Sequence, residues 1–428
     1  MLTRQHLCSL FTPTAFILLA MGANLALPDS AHAQWWYLPY VIQAPECPPP
    51  FPPAITSVEG LSESGRVGYY HHCGESEGFE AFIWTSESGL VTLTTPPGVQ
   101  SAQAFDINDA GQIAGTMGGF VSPLRGFFYD GDYVPLDPPP GGSFSDARAI
   151  NNSGQVVGTA DNPKTSSAEA FLWEAGTMTI LGPMPIPGSA ASDINEAAVV
   201  VGHMGDTSHQ NPTARGFIWE EGNVTVLDPI PGGVTSVATA INNVGQVVGW
   251  GLVPSEDSPS GFVDHAFLWT DGVMTDLGTL PGRDRSWATD IKDSGQVIGM
   301  CALSGQDRDK PFLWDDGVMC NVNSFVSIFW GLNITFVSAI NSHSTIVGRG
   351  ADSSGAVGVL LGRVIPEWPA CGECCNARAR DLAMILGYWG LCEDPCEPGP
   401  PETTCLTDLS GDCNTGPFDL AIVLGSWE

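Results

Sequence analysis

Two predicted β-hairpins decide the fold: Ala238-Thr-Ala-Ile-Asn-Asn-Val-Gly-Gln-Val-Val-Gly249 and, shortly after it, Ala266-Phe-Leu-Trp-Thr-Asp-Gly-Val-Met-Thr-Asp-Leu277. In each segment a short turn sequence that contains glycine separates two short runs of β-forming residues. Asn, Asp and Gly tolerate the left-handed backbone that tight hairpin turns require. The two segments together therefore predict one unit of four short antiparallel strands.

Three sequence markers repeat this unit in phase along the chain. The aromatic residue that ends the Ala-Phe-Leu-Trp segment recurs at positions 84, 129, 173, 219, 269 and 314, and Val357–Leu361 forms a weaker seventh copy. The first hairpin ends at Gly115, Gly158, Gly202, Gly249, Gly299 and Gly348, and a Pro-Gly pair begins at positions 97, 140, 187, 231 and 281. Seven units that close into a ring leave no long edge strand unpaired. The repeat predicts an all-β fold over residues 55–364, a seven-bladed β-propeller of four-stranded blades, with an open β-solenoid as the alternative.

The composition agrees with a turn-rich β protein and excludes several classes. Of 428 residues, 51 are Gly and 34 are Pro, and hydrophobic residues make up 43 %. That hydrophobic content argues against intrinsic disorder. The chain has 15 basic and 47 acidic residues, a net charge of −32. Because nucleic acids are bound through basic surfaces, this balance predicts no nucleic-acid partner.

The N-terminal segment predicts export from the cell. Residues 15–27 form a short apolar run, and Ala31-His-Ala33 has the small-x-small pattern of a signal-peptidase cleavage site. We therefore expect a signal peptide at 1–33, a Pro-rich linker at 34–54 and a secreted or cell-surface protein. The apolar run is too short for a membrane anchor, so no transmembrane segment is predicted in the mature chain.

Three sets of residues in the repeat are candidates for chemistry. The recurring asparagines are interpreted as turn formers, with a ring of ligands as the alternative; they are Asn108, Asn151, Asn195, Asn242 and Asn341. The tryptophans are interpreted as core between blades, with sugar stacking as the alternative; they are Trp84, Trp173, Trp219, Trp269 and Trp314. Asp106, Asp193 and Asp290 could line a central channel and serve glycoside chemistry or cation binding, although no pair at catalytic spacing stands out.

The repeat resembles the HAF-type extracellular repeat family, named for a His-Ala-Phe that stands here as His265-Ala266-Phe267. The resemblance covers roughly residues 55–364, and five of the six clear copies lack the histidine. Members of the family are secreted or surface proteins without an agreed activity. The resemblance therefore implies location and fold rather than chemistry.

Residues 365–428 differ from the repeat in being rich in cysteine and acid. Two copies of one segment appear, Asp381-Leu-Ala-Met-Ile-Leu-Gly-Tyr-Trp389 and Asp419-Leu-Ala-Ile-Val-Leu-Gly-Ser-Trp427. Their apolar residues fall at i, i+3, i+4 and i+7, which predicts two short helices. Before the second helix, Asp408, Ser410, Asp412 and Asp419 stand at positions 1, 3, 5 and 12 of a loop, and Asn414 at position 7 would offer a backbone carbonyl. Such oxygen donors suit one Ca²⁺ ion, with a merely acidic, capped turn as the alternative.

This duplicated loop–helix pair resembles a dockerin type I module. The resemblance implies Ca²⁺ binding at Asp408, Ser410, Asp412, Asn414 and Asp419, and docking onto a cohesin-like receptor or another cell-surface component. Two features depart from the pattern: Cys413 replaces the usual turn glycine, and the first loop has Ala370, Gly372 and Cys374 where ligands belong. Disulfides are favoured over a zinc site for the cysteines of the first loop, because the chain is predicted to be secreted.

Two functions remain open from the sequence. The favoured hypothesis is a secreted, non-catalytic repeat protein whose propeller presents a surface for a glycan or protein ligand and whose tail tethers it. The alternative is a secreted carbohydrate-active hydrolase or lyase with the propeller as catalytic domain. Dockerin-like modules often accompany such enzymes, but that argument is one of association.

Overall fold

The computed structural model describes residues 36–42, 55–72, 78–119, 122–208, 212–256, 258, 260–306, 310–326, 331–352 and 355–364. The predicted signal peptide at 1–33, the tail at 365–428 and its five proposed calcium ligands lie outside these residues. Within them, Tyr37–Gly362 forms one compact unit.

The described residues form twenty-eight β-strands and one short 3-10 helix, Val322–Ser324. The strands are β1 (Trp36–Ile42), β2 (Ile55–Leu61), β3 (Val67–His72), β4 (Glu80–Thr85), β5 (Gly89–Thr92), β6 (Ser101–Ile107), β7 (Ile113–Gly119), β8 (Ser122–Tyr129), β9 (Tyr133–Leu136), β10 (Ser145–Ile150), β11 (Val156–Asn162), β12 (Ser167–Glu174), β13 (Thr177–Ile180), β14 (Ser189–Ile194), β15 (Val200–Met204), β16 (Arg215–Glu220), β17 (Asn223–Leu227), β18 (Val237–Ile241), β19 (Val247–Pro254), β20 (Phe262–Thr270), β21 (Val273–Gly278), β22 (Arg285–Ile291), β23 (Val297–Ala302), β24 (Lys310–Asp315), β25 (Val318–Asn321), β26 (Asn333–Ile340), β27 (Ile346–Asp352) and β28 (Gly355–Val364).

The strands build seven sheets of four, which confirms the predicted seven-bladed propeller of four-stranded blades. Blades 1 to 6 use consecutive strands, from β2–β5 in blade 1 to β22–β25 in blade 6. Blade 7 has the order β1-β28-β27-β26, so its outermost strand comes from the N-terminal side of the repeat. The sequence placed residues 34–54 in a linker; the structure instead puts β1 of that range into blade 7.

Hydrogen bonds between blades 7 and 1 close the ring. The Ser338 hydroxyl donates to the Val58 carbonyl at 2.6 Å, and the Asn341 side-chain amide donates to the Ser62 carbonyl at 3.3 Å. An open solenoid has no such contact between its first and last units. These bonds join the first and last blades, so neither end of the array is left without a neighbouring blade, and β1 completes blade 7 as its fourth strand.

A glycine and a phenylalanine explain why the repeat markers recur. In blade 5, Gly249 of β19 lies opposite Phe267 of β20. A Cβ on Gly249 would lie 1.9 Å from the Val237 carbonyl oxygen and 2.9 Å from Phe267 Cζ, so only glycine fits. Phenylalanines at this position are fully buried in six blades: Phe82, Phe127, Phe171, Phe217, Phe267 and Phe312.

The tryptophans of the repeat lie in the core between blades, as predicted. Trp84 and Trp173 are 5 % and 7 % exposed. Trp219, Trp269 and Trp314 are partly buried and pack against hydrophobic clusters that join neighbouring blades. Leu361 takes the equivalent position in blade 7, opposite Ile346.

Two further properties concern only the described residues. Cys301 and Cys320 form no disulfide bond there, and the other cysteines fall outside the description. None of the helical structure in the described ranges has the length and hydrophobicity of a transmembrane span.

Candidate functional site in the central channel

A β-bulge in the innermost strand of every blade sets the residue that points toward the propeller axis. In each pairing of the first and second strands, the register skips one residue at the same place, and in blade 7 it also skips Thr335. A bulge leaves that residue out of the ladder and turns its side chain away from the sheet. The seven bulge residues are Glu59, Phe105, Arg148, Ser192, Thr239, Thr289 and Ser338.

Five of these bulge residues meet in one cavity of about 350 Å³. The cavity is lined by Glu59, Arg148, Thr239, Trp250, Trp287, Ala288, Thr289, Phe336 and Ser338. These residues come from blades 1, 3, 5, 6 and 7, so the cavity lies in the central channel. Its size is within the range of about 300–1,000 Å³ that is usual for small-molecule sites.

Glu59 is the carboxylate of the cavity. Burial raises the pKa of its carboxyl group above the usual value, although a hydrogen bond from Ser57 and the positive charges of Arg349 and Arg148 act in the opposite direction. Tyr70 also donates a hydrogen bond to this carboxyl group. Burial raises the pKa of the Tyr70 hydroxyl as well, and the neighbouring Glu59 charge adds to that effect.

Three arginines are stacked on aromatic rings around the channel. The guanidinium carbon of Arg148 lies 4.6 Å from the centre of the Phe105 ring. The corresponding distances are 4.7 Å from Arg285 to Trp287 and 4.9 Å from Arg349 to Phe336. Such contacts hold a cation in place while leaving its N–H edges available for hydrogen bonds.

The charges near the cavity are largely balanced by one another. Arg148 Nη2 lies 2.5 Å from Asp146 Oδ2. The positive charge of Arg349 favours the ionised form of Glu59. Asp264, outside the cavity lining, pairs with Arg285. Among the described residues Arg349 Nε is buried without a hydrogen-bond partner. The cavity therefore offers polar groups without a large excess of either charge.

Trp250 breaks the repeat at its position. It lies in β19 opposite Val237, where the equivalent residues of the other blades are Tyr70, Thr116, Thr159, His203, Met300 and Arg349. Its indole is partly exposed and lines the cavity. Unlike Trp287 and Phe336, it carries no aromatic or cationic side chain stacked on it among the described residues. Trp250 is therefore a partly exposed aromatic group of the cavity on which no ring or guanidinium of the described residues is stacked.

The three candidate aspartates of the repeat connect neighbouring blades. Asp106 accepts hydrogen bonds from the backbone N–H groups of Ile107 and Ile150, both at 2.8 Å, and Ile150 belongs to the next blade. Asp193 and Asp290 make the same pair of bonds from blades 4 and 6 to blades 5 and 7. Both oxygens of each carboxylate are thus occupied, and the described residues contain no group of three or more His, Cys, Asp or Glu placed to hold a metal ion.

The recurring asparagines form turns, as predicted, and also connect blades. Asn151 Oδ1 accepts the backbone N–H groups of Ser153 and Gln155, both at 3.1 Å. Its Nδ2 donates to the Asn195 carbonyl of the next blade at 3.1 Å. The second role was missed from the sequence, because an asparagine that forms a turn gives no sign of what its amide hydrogens contact.

The cavity residues were also missed from the sequence. Glu59, Arg148 and Trp250 stand beside the repeat markers but belong to none of them. A signal was available: the residue three positions before the turn asparagine is of five different types over the seven blades, whereas its neighbours vary less. Variation at a fixed place in a regular repeat indicates a position that the fold does not constrain.

No family model matches the chain, and no curated protein matches it in sequence. The β-propeller domain of the Trilobed protease from Pyrococcus furiosus is similar in fold, with 13 % identity and a TM-score of 0.41 over 61 % of this chain and 81 % of that chain. Pyrococcus horikoshii acylaminoacyl peptidase has 10 % identity and a TM-score of 0.44 over 72 % of this chain and 51 % of the peptidase. Virginiamycin B lyase from Staphylococcus aureus has 12 % identity and a TM-score of 0.43 over 76 % and 99 %. These likenesses concern the fold alone.

Proposed function

We propose that the chain is a secreted, non-catalytic repeat protein whose propeller binds a ligand in its central channel. The observation that carries this proposal is the cavity in which Glu59, Arg148 and Trp250 meet. A propeller that served only as a spacer would need no charged and aromatic side chains from five blades at one place. Ligand sites combine aromatic walls with a few convergent polar groups in this way.

The hydrogen bonds that the three aspartates accept favour a binding role over a catalytic one. Asp106, Asp193 and Asp290 are the candidate carboxylates for acid–base chemistry, and each accepts one backbone hydrogen bond from its own strand and one from the next blade. These bonds hold each carboxylate at the joint between two blades, and none of the three lines the cavity. Secretion rests on the Ala31-His32-Ala33 pattern and on the resemblance to HAF-type repeats.

The full-length protein tests the binding role. A glycan array, an amino-acid and dipeptide panel in a thermal-shift assay, and a polysaccharide-degradation screen would be run with wild type and Arg148→Ala. We expect saturable binding that Arg148→Ala weakens and Arg66→Ala, a change outside the cavity lining, does not. Product formation from any polysaccharide would overturn the non-catalytic role, and binding that is unaffected by Arg148→Ala would overturn the channel site.

The tail is proposed to tether the protein. Its oxygen donors at Asp408, Ser410, Asp412, Asn414 and Asp419 would hold one Ca²⁺ ion, and the ordered module would dock onto a cohesin-like receptor or another cell-surface component. Titration calorimetry with Ca²⁺ on the full-length protein tests the site. We expect Asp412→Ala to abolish the binding heat and Asp394→Ala, an acidic residue outside the loop, to leave it unchanged. Equal heats from wild type and Asp412→Ala would remove the assigned site.

Glu59 favours the second candidate function, a carbohydrate-active hydrolase or lyase. A carboxyl group whose pKa is raised by burial and that lies in a cavity beside Arg148 and Tyr70 can act as a general acid or base. If the propeller is an enzyme, Glu59→Gln removes turnover and Asp106→Asn does not. If no polysaccharide is degraded by wild type, this alternative fails.

A further inference from the structure

The chemistry of the channel cavity restricts the kind of ligand that it can take. The Thr239 hydroxyl lies 3.2 and 3.0 Å from the backbone carbonyl oxygens of Val248 and Ala288, which share its one hydrogen. The hydroxyl of Thr289 donates to the Ile298 carbonyl at 3.3 Å. The Ser338 hydroxyl likewise donates to the Val58 carbonyl. Since their hydrogens are used by the backbone, these three hydroxyl groups can only accept a hydrogen bond from a ligand.

The carboxyl group of Glu59 adds a fourth acceptor, and the arginines supply the donors. Arg148 forms an ion pair with Asp146, and the positive charge of Arg349 stabilises the negative charge of Glu59. A ligand with a full charge would have to displace one of these pairings, which costs free energy in a partly buried site. An uncharged ligand with many hydroxyl groups would not, because each hydroxyl donates to one group and accepts from another.

Trp250 favours a ligand that has a flat apolar face. Its indole lines the cavity and has no stacked partner among the described residues. A saturated six-membered sugar ring offers one face of C–H groups and an edge of hydroxyl groups. An aromatic side chain with hydrogen-bonding neighbours matches both features.

We propose that the channel cavity binds a neutral pyranose sugar, with the ring packed on Trp250 and its hydroxyl groups bonded to Glu59, Arg148 and the three channel hydroxyls. This inference rests on the proposed binding function and specifies its ligand. The cavity of about 350 Å³ limits the bound portion to a small number of sugar rings. Glu59 accepts hydroxyl hydrogens, and the N–H groups of Arg148 donate to hydroxyl oxygens.

Titration calorimetry on the full-length protein tests this proposal. The probes are glucose, galactose, N-acetylglucosamine and cellobiose, with glucuronate, glycine and diglycine as charged comparisons. We expect at least one neutral sugar to bind and its affinity to fall about tenfold or more in Trp250→Ala and in Glu59→Gln. Trp269→Phe, in the same blade but packed in the core, serves as the matched control and should bind as wild type does.

The possible outcomes test the identity of the ligand and the location of the binding site separately. Binding of glycine or diglycine that Trp250→Ala abolishes, without binding of any sugar, would overturn the pyranose proposal and leave the channel site intact. Sugar binding that is equal in wild type, Trp250→Ala and Glu59→Gln would also overturn it, since the sugar would then bind elsewhere. If no probe binds, the pyranose proposal fails. Trp250→Phe covers the case in which the alanine variant does not fold, because it keeps a ring and should lose affinity less than Glu59→Gln.

Discussion

Asp106, Asp193 and Asp290 show how a single side chain can join two blades. Each stands just after the bulge of its innermost strand and accepts one N–H from the following residue and one from the next blade. Burial of the carboxyl group, which outweighs these hydrogen bonds, raises the pKa of Asp106 to about 7 and that of Asp193 to about 6. Burial is also the main cause of the raised pKa of Asp290, and charge repulsion from Asp193 adds to the rise in pKa at both Asp106 and Asp290.

Replacing Asp106 tests the consequence for stability. The unfolded carboxyl group releases its proton near pH 4, whereas the folded one holds it to about pH 7. The folded state therefore binds more protons between these values, so this contribution to stability is complete below about pH 4 and is lost as the pH rises through about 7. Relative to Asp106→Asn, the wild type should lose up to about 4 kcal/mol of unfolding free energy across that window.

Urea denaturation at several pH values between 4 and 8 measures this difference. Asp228→Asn, which removes an exposed carboxylate in a loop, is the matched control and should follow the wild type. Parallel pH profiles for wild type and Asp106→Asn would show that Asp106 titrates in the folded protein as it does in the unfolded chain.

At the scale of the strand and the blade, the sequence predicted the structural features that recur in every unit, but not the features that occur once. The turn asparagines and the core tryptophans recur at a fixed period, so their places in each blade followed directly. Strand β1 has no counterpart in the period, and its pairing with β28 joins distant parts of the chain. Pro39 within β1 also suggested a linker, yet proline is accommodated in an edge strand, and β1 is the edge of blade 7. Bulge residues such as Glu59 and Arg148 escaped prediction because no repeated residue type marks them.

Gly249 and Gly68 both lie in second strands, but only Gly249 has no room for a Cβ atom. Comparing their alanine variants therefore distinguishes the cost of a steric clash from the general cost of replacing glycine. In Gly249→Ala the new Cβ would overlap the Val237 carbonyl, which lies 1.9 Å from its position. In Gly68→Ala the nearest atom is Ile107 Cβ at 3.6 Å, an ordinary contact. We expect Gly249→Ala to lose about 3 kcal/mol or more of stability and Gly68→Ala to change it by less than about 1 kcal/mol, as measured by urea denaturation. Equal losses would refute the steric explanation.

Strand β1 should stabilise the closed ring through Ile42. This side chain is 2 % exposed and packs with Val58, Trp84 and Leu360, which belong to blades 1 and 7. Ile42→Ala should cost about 3 kcal/mol of unfolding free energy because it leaves a cavity at the closing interface. Val41→Ala, at the adjacent and partly exposed position, should cost less than about 1 kcal/mol. Similar losses for the two variants would indicate that β1 adds no packing of its own at this interface.

Over the whole propeller, one face combines many acidic residues with few basic ones. In a four-stranded antiparallel blade, the turn after the first strand and the turn after the third strand lie at the same end. Acidic residues occupy or adjoin these turns in most blades: Glu63, Glu87, Asp109, Asp130, Asp132, Glu174, Glu196, Glu220, Glu221, Asp271, Asp293, Asp315 and Asp316. Arg66 and Lys292 are the basic residues in the same turns among the described residues. The turns of this face therefore carry a net negative charge.

Repulsion on the acidic face should make the stability of the protein depend on salt. The net charge is −32, and sodium chloride shortens the range of repulsion to about 10 Å at 0.1 M. We expect the Tm to rise by a few degrees between 20 and 300 mM sodium chloride, a range in which screening dominates over changes in apolar burial. The triple variant Glu220→Gln, Glu221→Gln and Asp271→Asn removes neighbouring acids from blades 4 and 5 and should show a smaller rise. A Tm that falls with salt, or a rise as large in the variant as in wild type, would mean that attraction within ion pairs outweighs repulsion on this face.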